Sequence, residues 1–200
     1  MPSRDEALAL DATDPLRDYG QRFVPVPEGL IYLDGNSLGR LPRDTPHRVQ
    51  EVVEAEWGGR LIRGWDEGWI ELPTSLGDRL GQHLLGAAPG QTVVADSTTV
   101  CFYKLAAAAL AARPGRTQIV TDRDNFPTDR YVLEGLAQQT GHEIVWIEGD
   151  PHAGPTPEDV EPLINDQTAL VSFSQVSYRS AHIADVKQIT EIAHAHGALT

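Results

Sequence analysis

From about residue 91 onward the apolar positions fall into a regular alternation. Short apolar runs at Thr92–Ala95, Gln118–Thr121, Ile144–Ile147 and Ala169–Phe173 predict strands. The stretches Val100–Ala112, Asp129–Gln139, Pro157–Ile164 and Val186–His196 carry helical spacing and predict helices between and after them. Thr156-Pro157 opens one of these with a capping hydroxyl followed by proline at the first helical position. Strands alternating with helices imply βαβ crossovers, hence an α/β fold with a mainly parallel sheet covered by helices on both faces. Gly197-Ala198-Leu199-Thr200 reads as a helix cap and the first residues of a further strand. A core strand does not begin and end in so few residues, so a fragment of a longer chain is expected.

The first ninety residues lack that alternation. Ser3-Arg4-Asp5-Glu6 has the S-x-x-E form of a capping box and predicts a short leading helix. Ile31-Tyr32-Leu33 reads as a short strand ended by the turn Asp34-Gly35-Asn36. Val49, Val52, Val53 and Trp57 recur at helical spacing and predict a helix over Thr45–Trp57. Gly58–Pro73 has no clean period, whereas Leu76, Leu80, Leu84 and Leu85 mark another helix closed by Gly86. The organisation expected is a helical N-terminal arm, residues 1–90, before the first part of an α/β domain, residues 91–200, incomplete at its C-terminal end.

Composition narrows the function classes. A net charge of −13 with a pI near 4.8 counts against a nucleic-acid-binding surface. No apolar run approaches the roughly 20 residues needed to span a bilayer, and the acidic start does not resemble a secretory signal. Cys101 is the single cysteine, so no internal disulfide forms and a cytoplasmic setting is favoured. The seven histidines show no metal-ligand spacing, and no metal site is expected.

Four segments could carry chemistry. Asp96-Ser97-Thr98-Thr99 lies between a predicted strand and helix, where free N–H groups and hydroxyls can seat a phosphate. Helix capping by the same residues is the ordinary alternative. Asn125-Phe126-Pro127-Thr128-Asp129 also follows a strand and opens a helix. Pro127 and Asp129 suit a helix start, while Phe126 and Asp129 could equally stack on and hold a flat cofactor. Ser174 to Ser180 follows a strand at the edge where ligands bind in open parallel sheets, although an ordinary loop would look the same. Asp34-Gly35-Asn36-Ser37-Leu38-Gly39 reads by default as a turn, since its glycine spacing is not that of a nucleotide loop.

Together these segments resemble kynureninase, within the fold-type I pyridoxal-phosphate enzymes related to the class V aminotransferases. The likeness is carried by Tyr32-Leu33-Asp34-Gly35-Asn36-Ser37-Leu38-Gly39, by Glu56-Trp57-Gly58 with Leu61-Ile62-Arg63, and by Asp96-Ser97-Thr98-Thr99-Val100. Asn125-Phe126-Pro127-Thr128-Asp129 and Ser174-Gln175-Val176-Ser177-Tyr178 complete it, and it runs from about residue 20 to the last residue. The resemblance makes phosphate binding the favoured reading of Thr98 and Thr99. It implies that Phe126 stacks on the pyridine ring, that Asp129 bonds near the 3-hydroxyl, and that Ser174 lines the cofactor site. It also implies that Asn36, Ser37, Trp65 and Trp69 lie near the substrate.

The reaction implied is hydrolysis of L-kynurenine to anthranilate and L-alanine in tryptophan degradation, with 3-hydroxykynurenine as a second candidate substrate that would give 3-hydroxyanthranilate on the same chemistry. The working form implied is a homodimer. That reaction needs a lysine to tether the cofactor and move protons. The chain has two, Lys104 and Lys187, both inside predicted helices rather than at a strand end. The Schiff-base lysine is therefore expected beyond Thr200, as are an aspartate for the pyridine nitrogen and a nearby histidine. Two other readings remain: a different class V enzyme, such as a cysteine desulfurase or an aminotransferase, or a non-catalytic protein that binds a phosphate ligand or a partner chain.

Overall fold

The computed structural model describes residues 3–150 and 152–200. The chain divides into two compact units, Met1–Val93 and Val94–Thr200. Among the described residues, every buried apolar side chain lies between Ala106 and Ala198.

The first unit is helical. Helix α1 (Arg4–Thr13) starts with the expected capping box, in which Ser3 Oγ accepts from the Glu6 amide at 3.2 Å. The Glu6 carboxylate accepts from the Ser3 amide at 2.6 Å in return. Helix α2 (Thr45–Glu51) continues through a π-helical stretch, Val52–Gly58, so that one helical run covers the predicted segment. Helix α3 (Leu72–Leu80) likewise continues as Gly81–Leu85 and ends at Gly86, whose φ of 65° is the left-handed conformation that glycine supplies at a helix end. Helix α3 packs closely on the following backbone. A Cβ built on Gly77 would fall 2.1 Å from the Thr92 carbonyl oxygen.

Two predicted strands do not form. Ile31-Tyr32-Leu33 forms no strand, with Ile31 82% and Leu33 88% exposed. The Tyr32 hydroxyl instead closes its own turn, donating to the carbonyls of Asp34 and Leu38. Thr92–Ala95 is also unpaired, because Thr92 and Val93 lie against the glycine face of α3 rather than beside a strand. An apolar run supplies the side chains of a strand, but its backbone groups still need a partner.

The second unit is the α/β structure. Its elements are α4 (Thr98–Ala111), β1 (Gln118–Asp122), α5 (Pro127–Thr140), β2 (Glu143–Ile147), α6 (Pro157–Val160), β3 (Thr168–Ser172) and α7 (Val186–Ala195). The three strands are parallel in the order β2-β1-β3, with Val120 level with Val145 and Val171. Alternation along β1 divides the core. Ile119 packs with Ala106 and Leu110 of α4 and with Leu133, Leu136 and Ala137 of α5. Val120 points to the other face, where Val160 of α6 and Ile189 and Ala193 of α7 cover it. Helices therefore cover both faces, as the alternation requires. Beyond α7, Leu199 pairs in parallel with Leu170 of β3, its amide donating to the Ala169 carbonyl at 3.0 Å. No helix among the described residues is long and apolar enough to cross a membrane.

Candidate functional site

In an open parallel sheet, loops leaving the C-terminal ends of strands converge on one edge. Here β1 and β3 are neighbours, so the loops after Asp122 and after Ser172 lie side by side. Helix α4 feeds β1 through the short connection 112–117, so its first turn lies toward the same edge.

The turn after β1 is built from Asp122 to Phe126. Asp122 Oδ1 accepts from the Asp124 amide at 2.9 Å, and the Asp122 carbonyl accepts from the Asn125 amide at 3.1 Å. Asp122 is only 8% exposed, and burial pushes its carboxyl above the usual range. Phe126 then occupies the N-cap position of α5 without a side-chain cap, and Pro127 follows at the first helical position. The Phe126 ring remains 46% exposed, against an edge-on contact with Tyr178 at 5.2 Å between ring centres. Asp129 lies in the first turn of α5 and is half-buried; burial raises its pKa, while a hydrogen bond with the Thr128 side chain opposes the shift.

The loop after β3 meets this turn at three points. Ser174 Oγ donates to Asn125 Oδ1 at 2.7 Å, Tyr178 touches Phe126, and Arg179 pairs with Asp124 at 2.7 Å. A small hairpin, bridged between Val176 and Ile183, carries the last two. Phe126 and Ser174 thus come together through Tyr178 and Asn125, while Asp129 is tied to Phe126 through its amide, which donates to the Phe126 carbonyl at 3.0 Å. Sequence reasoning assigned no role to Asn125, Tyr178 or the buried Asp122. Tyr178 was visible as part of the polar run after β3, but the contact with Phe126 depends on β1 and β3 being adjacent.

At the start of α4 the two readings of Asp96–Thr99 separate by residue. Ser97 is the N-cap, and its Oγ accepts from the Val100 amide at 3.3 Å. Thr98 and Thr99 follow as the first two helical residues, with their hydroxyls not needed for the cap. Asp96 pairs with Lys104, and that contact holds the lysine pKa above its ordinary value. Lys187 is exposed on α7, 3.9 Å from Glu191.

The remaining four candidate residues belong to the first unit. Ser37 Oγ donates to Asp34 Oδ1 at 2.7 Å, closing the turn that also contains Asn36. Trp65 and Trp69 meet edge to face at 6.2 Å, and the Trp69 ring lies over Gly64, where a Cβ would stand 3.0 Å from the indole. Trp69 Nε1 donates to Glu56 at 2.8 Å, and this bond, with a second from Arg48, lowers the Glu56 pKa.

Comparison with known proteins agrees with this architecture. The chain is 41% identical over 206 residues to kynureninase from Burkholderia pseudomallei (strain 1106a), an alignment covering 100% of this chain and 47% of the relative. Kynureninase from Pseudomonas fluorescens aligns with the same identity and coverage. The chain thus spans about half the length of the curated relatives it matches. The apo structure of a cysteine desulfurase from Thermococcus onnurineus NA1 shares the fold with a TM-score of 0.71 at 19% identity, covering 90% of this chain and 45% of that one. A variant of C-DES with glycine covalently linked to its PLP cofactor gives a TM-score of 0.68 at 13% identity, covering 99% of this chain and 47% of that one. The family profile described as aminotransferase class-V matches residues 80–200, which is more than half of the sequence and includes the whole sheet. The chain belongs to the aminotransferase class-V family.

Proposed function

We propose that this chain forms the cofactor-seating part of a pyridoxal-phosphate enzyme that hydrolyses L-kynurenine to anthranilate and L-alanine. The observation that carries the reading is the exposed Phe126 ring at the C-terminal edge of the sheet, in a turn that Ser174 joins through Asn125. The likeness to kynureninases along the whole chain supports the choice of substrate.

The residues present fit such a cofactor. A flat aromatic side chain is half-exposed at a sheet edge, in a turn anchored by the buried Asp122 and Asn125. A half-buried carboxyl stands three residues further on, and an N-terminal helix turn offers two threonine hydroxyls that its own cap does not use. In this reading Thr98, Thr99 and the first amides of α4 bind the phosphate. Phe126 covers one face of the pyridine ring and excludes water from it. Asp129 bonds near the ring hydroxyl. Ser174 orients the ring from the side. Asn36, Ser37, Trp65 and Trp69 bind the substrate. When bound, the cofactor supplies an electron sink for the pair released as the substrate Cα loses its proton. Water supplies the oxygen that ends in the anthranilate carboxylate.

The tethering lysine lies outside these residues, since Lys104 is held by Asp96 and Lys187 stands exposed on a helix. The same reading makes the working protein a cytoplasmic homodimer, which light scattering and cell fractionation test. The deciding experiment follows the fluorescence of anthranilate from L-kynurenine and of 3-hydroxyanthranilate from 3-hydroxykynurenine with the full-length protein. Neither product, with pyridoxal phosphate bound, rejects the substrate. A borohydride-fixed adduct on Lys104 or Lys187 rejects the division of labour.

A further inference from the structure

The turn after β1 contains two buried polar side chains, and Asp122 is accounted for by the Asp124 amide, whereas neither helix capping nor the proposed cofactor contacts assign a task to Asn125. Asn125 is 3% exposed. Its Oδ1 accepts two hydrogen bonds, from the Phe126 amide at 2.8 Å and from Ser174 Oγ at 2.7 Å. Its own amide donates to the Asp122 carbonyl at 3.1 Å. One carbonyl oxygen with two lone pairs thus joins two loops that lie 49 residues apart in the chain. One loop carries the exposed ring, and the other carries the hydroxyl.

We propose that Asn125 is a positioning residue for cofactor binding, fixing the Phe126 backbone and the Ser174 hydroxyl in one geometry. The inference rests on the cofactor reading above. The residue type follows from the surroundings. A hydroxyl at this position is too short to reach both donors. A carboxylate would reach both, but it would add a further negative charge to a turn already holding Asp122 and Asp124. The neutral amide supplies the same acceptor without that repulsion. Because the oxygen is buried, both bonds are shielded from competing water, and losing it leaves two donors without their partner.

The test uses the full-length protein with Asn125→Ala, Asn125→Asp, Ser174→Ala and the Asn125→Ala/Ser174→Ala pair. The dissociation constant for pyridoxal phosphate and the circular dichroism of the bound cofactor are measured. Hydrogen exchange at the Phe126 amide is followed in the cofactor-free protein. Asn125→Ala is expected to weaken cofactor binding about fivefold to tenfold, on the scale of one or two neutral hydrogen bonds. It should also shrink the cofactor dichroism and speed Phe126 exchange by a similar factor, while the β1 amides keep their protection. Asn125→Asp retains the acceptor and should recover part of the affinity, with more recovery at acid pH where it is neutral. The pair should cost less than the product of the two single losses, because both remove one shared link.

If Asn125→Ala does not fold, Ser174→Ala breaks the same link from the other side and must speed Phe126 exchange. Wild-type affinity, dichroism and Phe126 exchange in a folded Asn125→Ala protein would overturn the inference while leaving the cofactor reading intact. A wild-type protein that takes up no pyridoxal phosphate overturns both.

Discussion

The start of α4 permits a double dissociation between stability and ligand affinity. Ser97 Oγ caps the helix through Val100 at 3.3 Å, a long bond on an exposed turn. Caps of this type contribute about 0.5–2 kcal/mol, and the length and exposure put Ser97→Ala near the lower end, about 0.5–1 kcal/mol. Thr98 and Thr99 take no part in that cap, so Thr98→Ala and Thr99→Ala should cost no stability. Both should gain up to about 0.5 kcal/mol, since alanine is the better helix former. Phosphate affinity should behave in the opposite way. A hydroxyl donating to a charged phosphate contributes about 1.5–3 kcal/mol, and exposure at Thr98 favours the lower figure, close to tenfold in the dissociation constant. Urea denaturation of the cofactor-free full-length protein measures the first quantity, and titration with pyridoxal phosphate measures the second. Ser97→Ala should lower the urea midpoint, while each threonine variant should weaken binding with its midpoint unchanged or raised. Threonine variants that lose stability like Ser97→Ala yet bind the cofactor normally would refute the phosphate assignment and return the segment to capping alone.

Three further outcomes test the scaffold. Leu133 is fully buried between α5 and the sheet, so Leu133→Ala should cost about 2–5 kcal/mol and loosen the helix that carries Phe126 and Asp129; hydrogen exchange of the β1 and α5 amides should show it, and a loss below about 1 kcal/mol would contradict the packing. Gly77→Ala forces a Cβ into the Thr92 carbonyl at 2.1 Å, a backbone contact that no rotamer change relieves, and should cost about 1–3 kcal/mol in urea denaturation. Asp122 has its pKa raised by burial, so the folded state holds the proton more tightly than the unfolded chain. Its ionisation therefore removes stability as pH rises from the unfolded value through the raised one. Asp122→Asn imitates the neutral form and keeps the acceptor for the Asp124 amide, so its advantage over the wild type should be absent in acid and reach a plateau near neutral pH. Melting temperatures across that range check the sign, and an advantage that grows toward acid would exclude it.

What could be read without a structure was local in origin. The helix starts at Ser3 and Thr156 were legible because the cap, the first turn and the bonds joining them lie within four residues. The strands β1, β2 and β3 were legible because buried parallel strands are short apolar runs separated by amphipathic helices. Ile31–Leu33 and Thr92–Ala95 show the same local signal, yet neither is a strand. Strand formation depends on a partner elsewhere in the chain, and no local pattern supplies one. The site divides along the same line. Phe126 and Asp129 were marked by the motif that opens α5, whereas Ser174 reaches Asn125 in that motif only because β3 lies beside β1. Which hydroxyl near Thr98 caps the helix, and what Asn125 holds, were likewise decided by the fold. Sequence order determined the kinds of residue available at the sheet edge. Tertiary structure decided which of them meet, because hydrogen bonds and ring contacts depend on distance in space rather than separation along the chain.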